Sequence, residues 1–281
     1  MVQYVTPKRG HVRQRTMKNV NPEPSFDSRR RIGAEIGIVL GLSLGASALY
    51  SIVAIVNLLT RNASLASQTA TINRSLSERP TFDLIYQVMA VFFDLMPVAL
   101  VAFLLWQSTR PHLGRLGVNF ERFGRQSLWG VALAAAIGIP GLAFYLLSKF
   151  VGINVSVIPT ALDTYWWTVP VLILSAVRAG VTEEVIVVGY LFARLGDLGW
   201  GRWKIIIASA LLRGTYHLYQ GFGAFIGNVA MGVLFGWLYT RFGRVLPLVI
   251  AHILIDIAVF VGYPWAAVAF PEIFAPPASA K

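Results

Sequence analysis

Residues 84–106 read LIYQVMAVFFDLMPVALVAFLLW, and Asp94 is the only charged residue among them. One helical crossing of a bilayer core needs about 20 predominantly apolar residues, so this stretch is long enough to span a membrane. Similar apolar stretches occur at about residues 34–59, 128–147, 169–195, 204–219, 223–239 and 245–261. The sequence therefore predicts an all-α, polytopic bundle of about seven to eight transmembrane helices.

The composition agrees with a membrane protein. Hydrophobic residues make up 56% of the chain, charged residues make up only 13%, and the mean hydropathy is +0.63. A water-soluble domain of this length is normally more polar. The chain has no Cys, which excludes disulfides, thiolate nucleophiles and thiolate-ligated metals.

The basic residues are concentrated at the N-terminal end. The formal net charge is +11, and eight of the 24 Lys and Arg residues precede the first apolar stretch. Lys and Arg flanking a first span favour the cytoplasmic side, where anionic lipid headgroups attract them. We therefore expect an integral, multi-pass protein of a bacterial cell membrane with a cytoplasmic N-terminus, whose positive charge contacts the lipid bilayer and no nucleic acid.

The pattern divides the chain into three segments. Residues 1–32 are polar and basic and are predicted to be a disordered cytoplasmic tail. Residues 33–262 are predicted to form the membrane helix bundle, and residues 263–281 a Pro-rich tail. Within the bundle, residues 165–261 contain most of the side chains that could carry chemistry.

Ionisable side chains at bilayer depth cost about 2.5–3.5 kcal/mol each on insertion scales, so their presence requires a reason. Three places in the second half of the chain stand out: Glu183 with Glu184, His217, and His252 with Asp256. His252 and Asp256 are four residues apart and share one helix face. Glu183 and Glu184 diverge by about 100° on a helix, so only one of them can point directly at a common site.

A carboxylate and two imidazoles are the groups needed to activate a water molecule. The Glu could act as a general base, or a metal could be held by nitrogen and oxygen ligands. An intramembrane His is also a common hydrogen-bonded helix contact, and this interpretation stays open for each His taken alone.

At these residues the sequence resembles the CAAX protease and bacteriocin-processing family, membrane-embedded proteases that include the Ras-converting enzyme. That family shows a Glu-Glu motif followed by Arg-Gly, then Phe with His four residues on, then His with Asn or Asp four residues on. The matching residues here are Glu183, Glu184 and Gly189, then His217, then His252 and Asp256. The resemblance covers roughly residues 165–261, and the first three spans match only as apolar helices.

The resemblance implies an intramembrane endopeptidase acting on membrane-associated or lipid-anchored peptides or proteins. Glu183 and Glu184 would be site residues, with Glu183 as the general base. His217 and His252 would position the water or polarise the scissile carbonyl, and Asp256 would orient the site. Glu183, His217 and His252 would form a set of Zn²⁺ ligands, but no HExxH motif is present, so a metal-free mechanism stays open.

Two positions depart from the family pattern. Val188 stands where the family has Arg, and Arg213 stands where it has Phe. A buried carboxylate without a cationic partner is strongly destabilising. We therefore expect Arg213, one turn before His217, to replace the missing charge by pairing with Glu184.

Two other functions stay open at this point. The altered first motif is compatible with a non-catalytic immunity or scaffold protein on the same fold. A proton-coupled transporter would use Glu183, His217 and His252 to relay protons or bind a cation, although no inverted repeat is evident.

Overall fold

A computed structural model describes residues 26–274, and most of them are helical. The helices are α1 Phe26–Gly41, α2 Leu44–Leu59, α3 Pro80–Asp94, α4 Met96–Leu104, α5 Phe123–Phe150, α6 Thr168–Glu183, α7 Leu191–Asp197, α8 Arg202–Tyr216, α9 Phe222–Phe242, α10 Leu246–Ala269 and α11 Pro271–Phe274. A π-helical segment, Glu184–Tyr190, joins α6 to α7 without a loop. Single 3₁₀ turns lie at Leu65–Ser67, Gly114–Leu116 and Leu218–Gln220.

Four helical stretches among residues 26–274 are long and apolar enough to cross a membrane: Pro80–Leu104, Phe123–Phe150, Phe222–Phe242 and Leu246–Ala269. The pair α1 and α2 adds a fifth if it is counted as one span bent by 57°. The predicted number of seven to eight spans is therefore not confirmed. Of the other two predicted spans, α8 has only 15 residues, and the stretch from α6 to α7 is divided by the π-helical segment; neither counts as a membrane-spanning helix.

The predicted boundaries of the bundle also change. Helix α1 begins at Phe26, so the last residues of the segment predicted as a disordered tail are helical. At the other end, α10 continues through Pro264 to Ala269, well into the segment predicted as a Pro-rich tail. Residues 1–25 and 275–281, which hold the rest of both predicted tails, lie outside the described residues.

Two short strands correct the all-α prediction. β1 Thr69–Arg74 and β2 Ser156–Ala161 pair in parallel, with Thr69 opposite Ser156 and Arg74 opposite Ala161. Both strands lie in linkers between long helices, where the sequence pattern indicates only loops. β-branched residues such as Thr71 and Ile158 favour the extended conformation there.

The π-helical segment lies at the centre of the bundle. All seven of its residues are buried, from Glu184 to Tyr190, and its apolar side chains belong to the largest core cluster. Helix α6 leads into this segment and packs against α10, while α8 packs against α9 and α2. These contacts bring the ends of α6 and α8 and the middle of α10 together.

Gly180 permits the close approach of α6 to α10. A Cβ atom at this position would lie 2.7 Å from Ile253 Cγ1 and 3.1 Å from the Ile253 backbone nitrogen. Small residues at helix contacts allow close packing in membranes. Gly180 lies one turn before Glu183, and Ile253 directly follows His252. The contact between Gly180 and Ile253 therefore sets the distance between the Glu183 carboxylate and the His252 imidazole.

We expect Gly180→Ala to lower the thermal unfolding midpoint of the detergent-solubilised protein, because the added methyl group forces α6 and α10 apart. Overpacking of this kind costs about 1–3 kcal/mol. Gly262→Ala is the matched control, because a Cβ there meets no atom within 4 Å. It should leave the midpoint unchanged or raise it, since Ala is the better helix former. Equal midpoints for both variants would contradict the packing role of Gly180.

Candidate active site

A cavity of about 1500 Å³ lies within the bundle, and polar side chains from three helical regions line it. Four of the five predicted site residues contribute to its wall: Glu183, His217, His252 and Asp256. They come from the end of α6, the residue after α8, and α10. The chain folding thus brings together groups up to 73 positions apart (256 − 183 = 73) around one space.

Glu183 is the carboxylate that faces the cavity. Its Oε2 accepts a hydrogen bond of 2.8 Å from the Tyr216 hydroxyl. The same oxygen lies 3.8 Å from Arg213 Nη1 and 3.9 Å from His252 Nε2. The side chain keeps 12% of its surface exposed. Glu183 is therefore held by neighbours on one side and remains accessible from the cavity.

Glu184 lies behind this wall and is fully buried. Its Oε1 contacts Arg213 Nη2 at 2.5 Å, and both side chains have 0% exposure. The predicted pairing of Arg213 with Glu184 is therefore present. The two adjacent carboxylates therefore differ in position: Glu183 faces the cavity, whereas Glu184 is a buried partner of Arg213.

His252 connects the buried pair to the cavity. Its Nδ1 lies 2.7 Å from Glu184 Oε1. Because an ionised carboxylate can only accept, Nδ1 carries the hydrogen of this bond. The other ring nitrogen, Nε2, lies between Glu183 and Asp256, 3.9 Å from Glu183 Oε2 and 3.6 Å from Asp256 Oδ2.

His217 is fixed in a similar way. Its Nδ1 lies 3.1 Å from the Arg213 carbonyl oxygen, one turn earlier. The carbonyl can only accept, so Nδ1 is again the donor and Nε2 is left for other partners. Both imidazoles are thus anchored through Nδ1, which fixes the orientation of each ring at the cavity wall.

Two contacts at the cavity were not predicted: the hydrogen bond from Tyr216 to Glu183 and the ion pair of Arg178 with Asp94. The hydroxyl of Tyr216, next to His217, binds Glu183 directly, although no motif in the sequence indicates a role for it. Arg178 and Asp94 also line the cavity and form an ion pair of 2.6 Å. Asp94 beside Pro97 in one apolar stretch indicates either a kinked helix with a hydrogen-bonded Asp94 or a carboxylate that faces a cavity, and the break between α3 and α4 lies at this residue. Arg178 and Asp94 are charged residues within apolar stretches of the sequence. Because such residues are rare at bilayer depth, this property could have identified both of them.

The expectation that Glu183, His217 and His252 bind Zn²⁺ stays a prediction. Across residues 26–274, no group of three or more His, Asp or Glu side chains is placed to hold a metal ion. Glu183, His217 and His252 share a cavity wall, but Glu183 is bound by Tyr216. No step of the mechanism below therefore passes through a metal.

The buried ion pair yields a stability prediction. Arg213→Met and Glu184→Gln should each lower the free energy of unfolding by about 3–5 kcal/mol, because each leaves one group of a buried pair without its partner. The double variant should lose less than the sum of the two. Thermal or denaturant unfolding in detergent measures this difference, and strictly additive losses would show that the two side chains do not interact.

The comparisons with known proteins agree with this geometry. Residues 165–258 match the family model described as Type II CAAX prenyl endopeptidase Rce1-like. The matched segment begins just before α6 and ends within α10, so it contains the complete candidate site. No curated protein and no solved structure matches the chain. The predicted resemblance to the CAAX protease and bacteriocin-processing family, a family of membrane proteases, is therefore confirmed for the segment that carries the site.

Proposed function

We propose that this integral membrane protein is a CAAX-type endopeptidase that cleaves membrane-associated or lipid-anchored peptides with a water molecule activated by Glu183. The observation that carries the proposal is the position of Glu183 on the cavity wall, together with His217 and His252. The cavity volume of about 1500 Å³ exceeds the range of about 300–1,000 Å³ that suits drug-sized ligands. It offers room for a peptide segment.

The proposed reaction needs a general base and a group that polarises the scissile carbonyl. Glu183 takes a proton from water as the water oxygen attacks the carbonyl carbon, which gives a tetrahedral oxyanion. When the C–N bond breaks, Glu183 returns that proton to the departing amine. The products are a new carboxylate and a free amino terminus, and no redox partner is needed.

The two imidazoles support this chemistry from fixed positions. His252 Nε2 is the ring nitrogen nearest to Glu183, at 3.9 Å from its Oε2. It orients the water or donates to the developing oxyanion, and Asp256 Oδ2 at 3.6 Å orients this side of the ring. His217, held through Nδ1 by the Arg213 carbonyl, contributes its Nε2 from the same cavity wall. Preorganised donors of this kind lower the barrier because they need no rearrangement during the reaction.

The contact between Arg213 and Glu184 favours catalysis over a non-catalytic role on the same fold. The main reason to consider an immunity or scaffold protein was the missing motif arginine at Val188. The guanidinium of Arg213, on α8, contacts Glu184 instead. The charge of this second glutamate of the Glu-Glu motif is therefore balanced. We place the protein in a bacterial cell membrane with its N-terminus in the cytoplasm, and we expect no nucleic acid among its partners.

We expect Glu183→Gln to reduce peptide cleavage by roughly 10²- to 10⁴-fold, because glutamine cannot take a proton from water. Cleavage is measured with purified protein in lipid vesicles and lipid-anchored CAAX peptides, by mass spectrometry of the products. Glu78→Gln is the matched control, since Glu78 is exposed ahead of α3 and lies outside the cavity. It should leave the rate unchanged.

The membrane level and unfolding midpoint of both variants should match those of the unsubstituted protein. If Glu183→Gln cleaved as fast as Glu78→Gln, Glu183 would not be the base. If the unsubstituted protein cleaved no lipid-anchored peptide, the protease proposal would be wrong.

A further inference from the structure

The cavity carries a second polar centre, built from Arg178 and Asp94, that the proposed mechanism does not use. Arg178 lies on α6, and Asp94 lies at the break between α3 and α4. Arg178 is the only Lys or Arg among the described residues that line the cavity. A single Arg in a wall that also holds the carboxylates of Asp94, Glu183 and Asp256 is the feature that needs an explanation.

The ion pair itself is open to exchange. Arg178 Nη1 lies 2.6 Å from Asp94 Oδ2, but the side chains keep 30% and 51% of their surface exposed. Both side chains line the cavity that must hold water for the proposed reaction, and water-accessible pairs contribute little to stability, unlike the fully buried pair of Arg213 and Glu184. Asp94 therefore shows that a carboxylate fits against Arg178, and another carboxylate can replace it at low cost.

The distance along α6 relates this cation to the proposed base. Arg178 precedes Glu183 by five residues, which corresponds to about 7.5 Å along the helix axis. An extended peptide advances about 3.3–3.6 Å per residue, so the separation matches two to three residues of substrate. A peptide whose terminus contacts Arg178 would place a bond near its end beside Glu183.

We propose that Arg178 binds the free C-terminal carboxylate of the substrate and that Asp94 occupies this position when no substrate is bound. The inference rests on the proposed function, because it names the part of the peptide that this site recognises. A CAAX motif lies at the C-terminus of its protein, so every such substrate presents a carboxylate. Arginine suits this partner because its planar guanidinium binds a carboxylate through two parallel hydrogen bonds.

The test compares two forms of one lipid-anchored CAAX peptide, with a free C-terminal acid and with a C-terminal amide. Binding is measured to full-length protein carrying Glu183→Gln, so that no cleavage interferes. The acid should bind roughly 10- to 100-fold more tightly than the amide, because only the acid forms charge-assisted hydrogen bonds with Arg178. Adding Arg178→Gln should weaken binding of the acid by this factor and leave binding of the amide unchanged.

Three further variants separate recognition from a structural role. Arg178→Lys keeps the charge without the planar fork and should retain part of the preference for the acid. Asp94→Asn removes the competing carboxylate and should preserve or increase that preference. Arg241→Gln is the matched control, since Arg241 is exposed in the last turn of α9 and lies outside the cavity. It should change neither affinity.

The inference is overturned if the Glu183→Gln protein binds acid and amide equally or binds neither. Equal losses for acid and amide in Arg178→Gln would also overturn it, because a purely structural ion pair predicts that result. If Arg178→Gln does not fold, as judged by its unfolding midpoint, the test uses the Arg178→Lys and Asp94→Asn proteins. The measured quantity is again the ratio of the affinity for the acid peptide to that for the amide peptide. Cleavage of the acid peptide by the unsubstituted protein is scored separately. A preference for the acid without cleavage would reject the protease and keep the carboxylate site.

Discussion

The buried contact between Arg213 and Glu184 holds the candidate site together. The Arg213 guanidinium binds the Glu184 carboxylate, and the Arg213 carbonyl accepts a hydrogen bond from His217. The same Glu184 oxygen accepts a hydrogen bond from His252. The ion pair therefore joins α8 to the π-helical segment, and Glu184 extends the contact to His252 on α10. The Arg213 backbone carbonyl, rather than its guanidinium, holds the His217 ring. Removing either partner would leave an uncompensated charge where no water can replace it.

The packing around this pair explains how an apolar bundle accommodates so many charges. Glu184 begins a π-helical segment whose other side chains are apolar and buried. Such segments are rare and often occur at functional sites. Gly180, one turn earlier, brings α6 against α10, so that the Glu183 and His252 side chains meet at the cavity. Glu183, His217, His252 and Asp256 thus line one cavity.

Much of the site could be predicted because charged residues are rare at bilayer depth. Glu183, His217 and His252 were identified for this reason, and the missing motif arginine pointed to Arg213 as the partner of Glu184. Hydropathy could not predict the number of spans, since it does not distinguish a full crossing from a short buried helix such as α8. Tyr216 carries no charge and belongs to no motif, so its contact with Glu183 is visible only in three dimensions. The two strands were missed because six-residue linker segments carry no helical or membrane pattern.

The position of Arg213 also constrains how such a site can change during evolution. If an ancestor carried the arginine at the position of Val188, the charge has moved from the segment after α6 to α8 while Glu184 stayed buried. Losing the first arginine before gaining the second would leave the carboxylate unpaired, at a cost of about 3–5 kcal/mol. Gain before loss is the cheaper order, and it requires an intermediate with two guanidinium groups near one carboxylate. A scan for the linear Glu-Glu-Arg pattern would therefore overlook proteins that keep the same charge balance through a different helix.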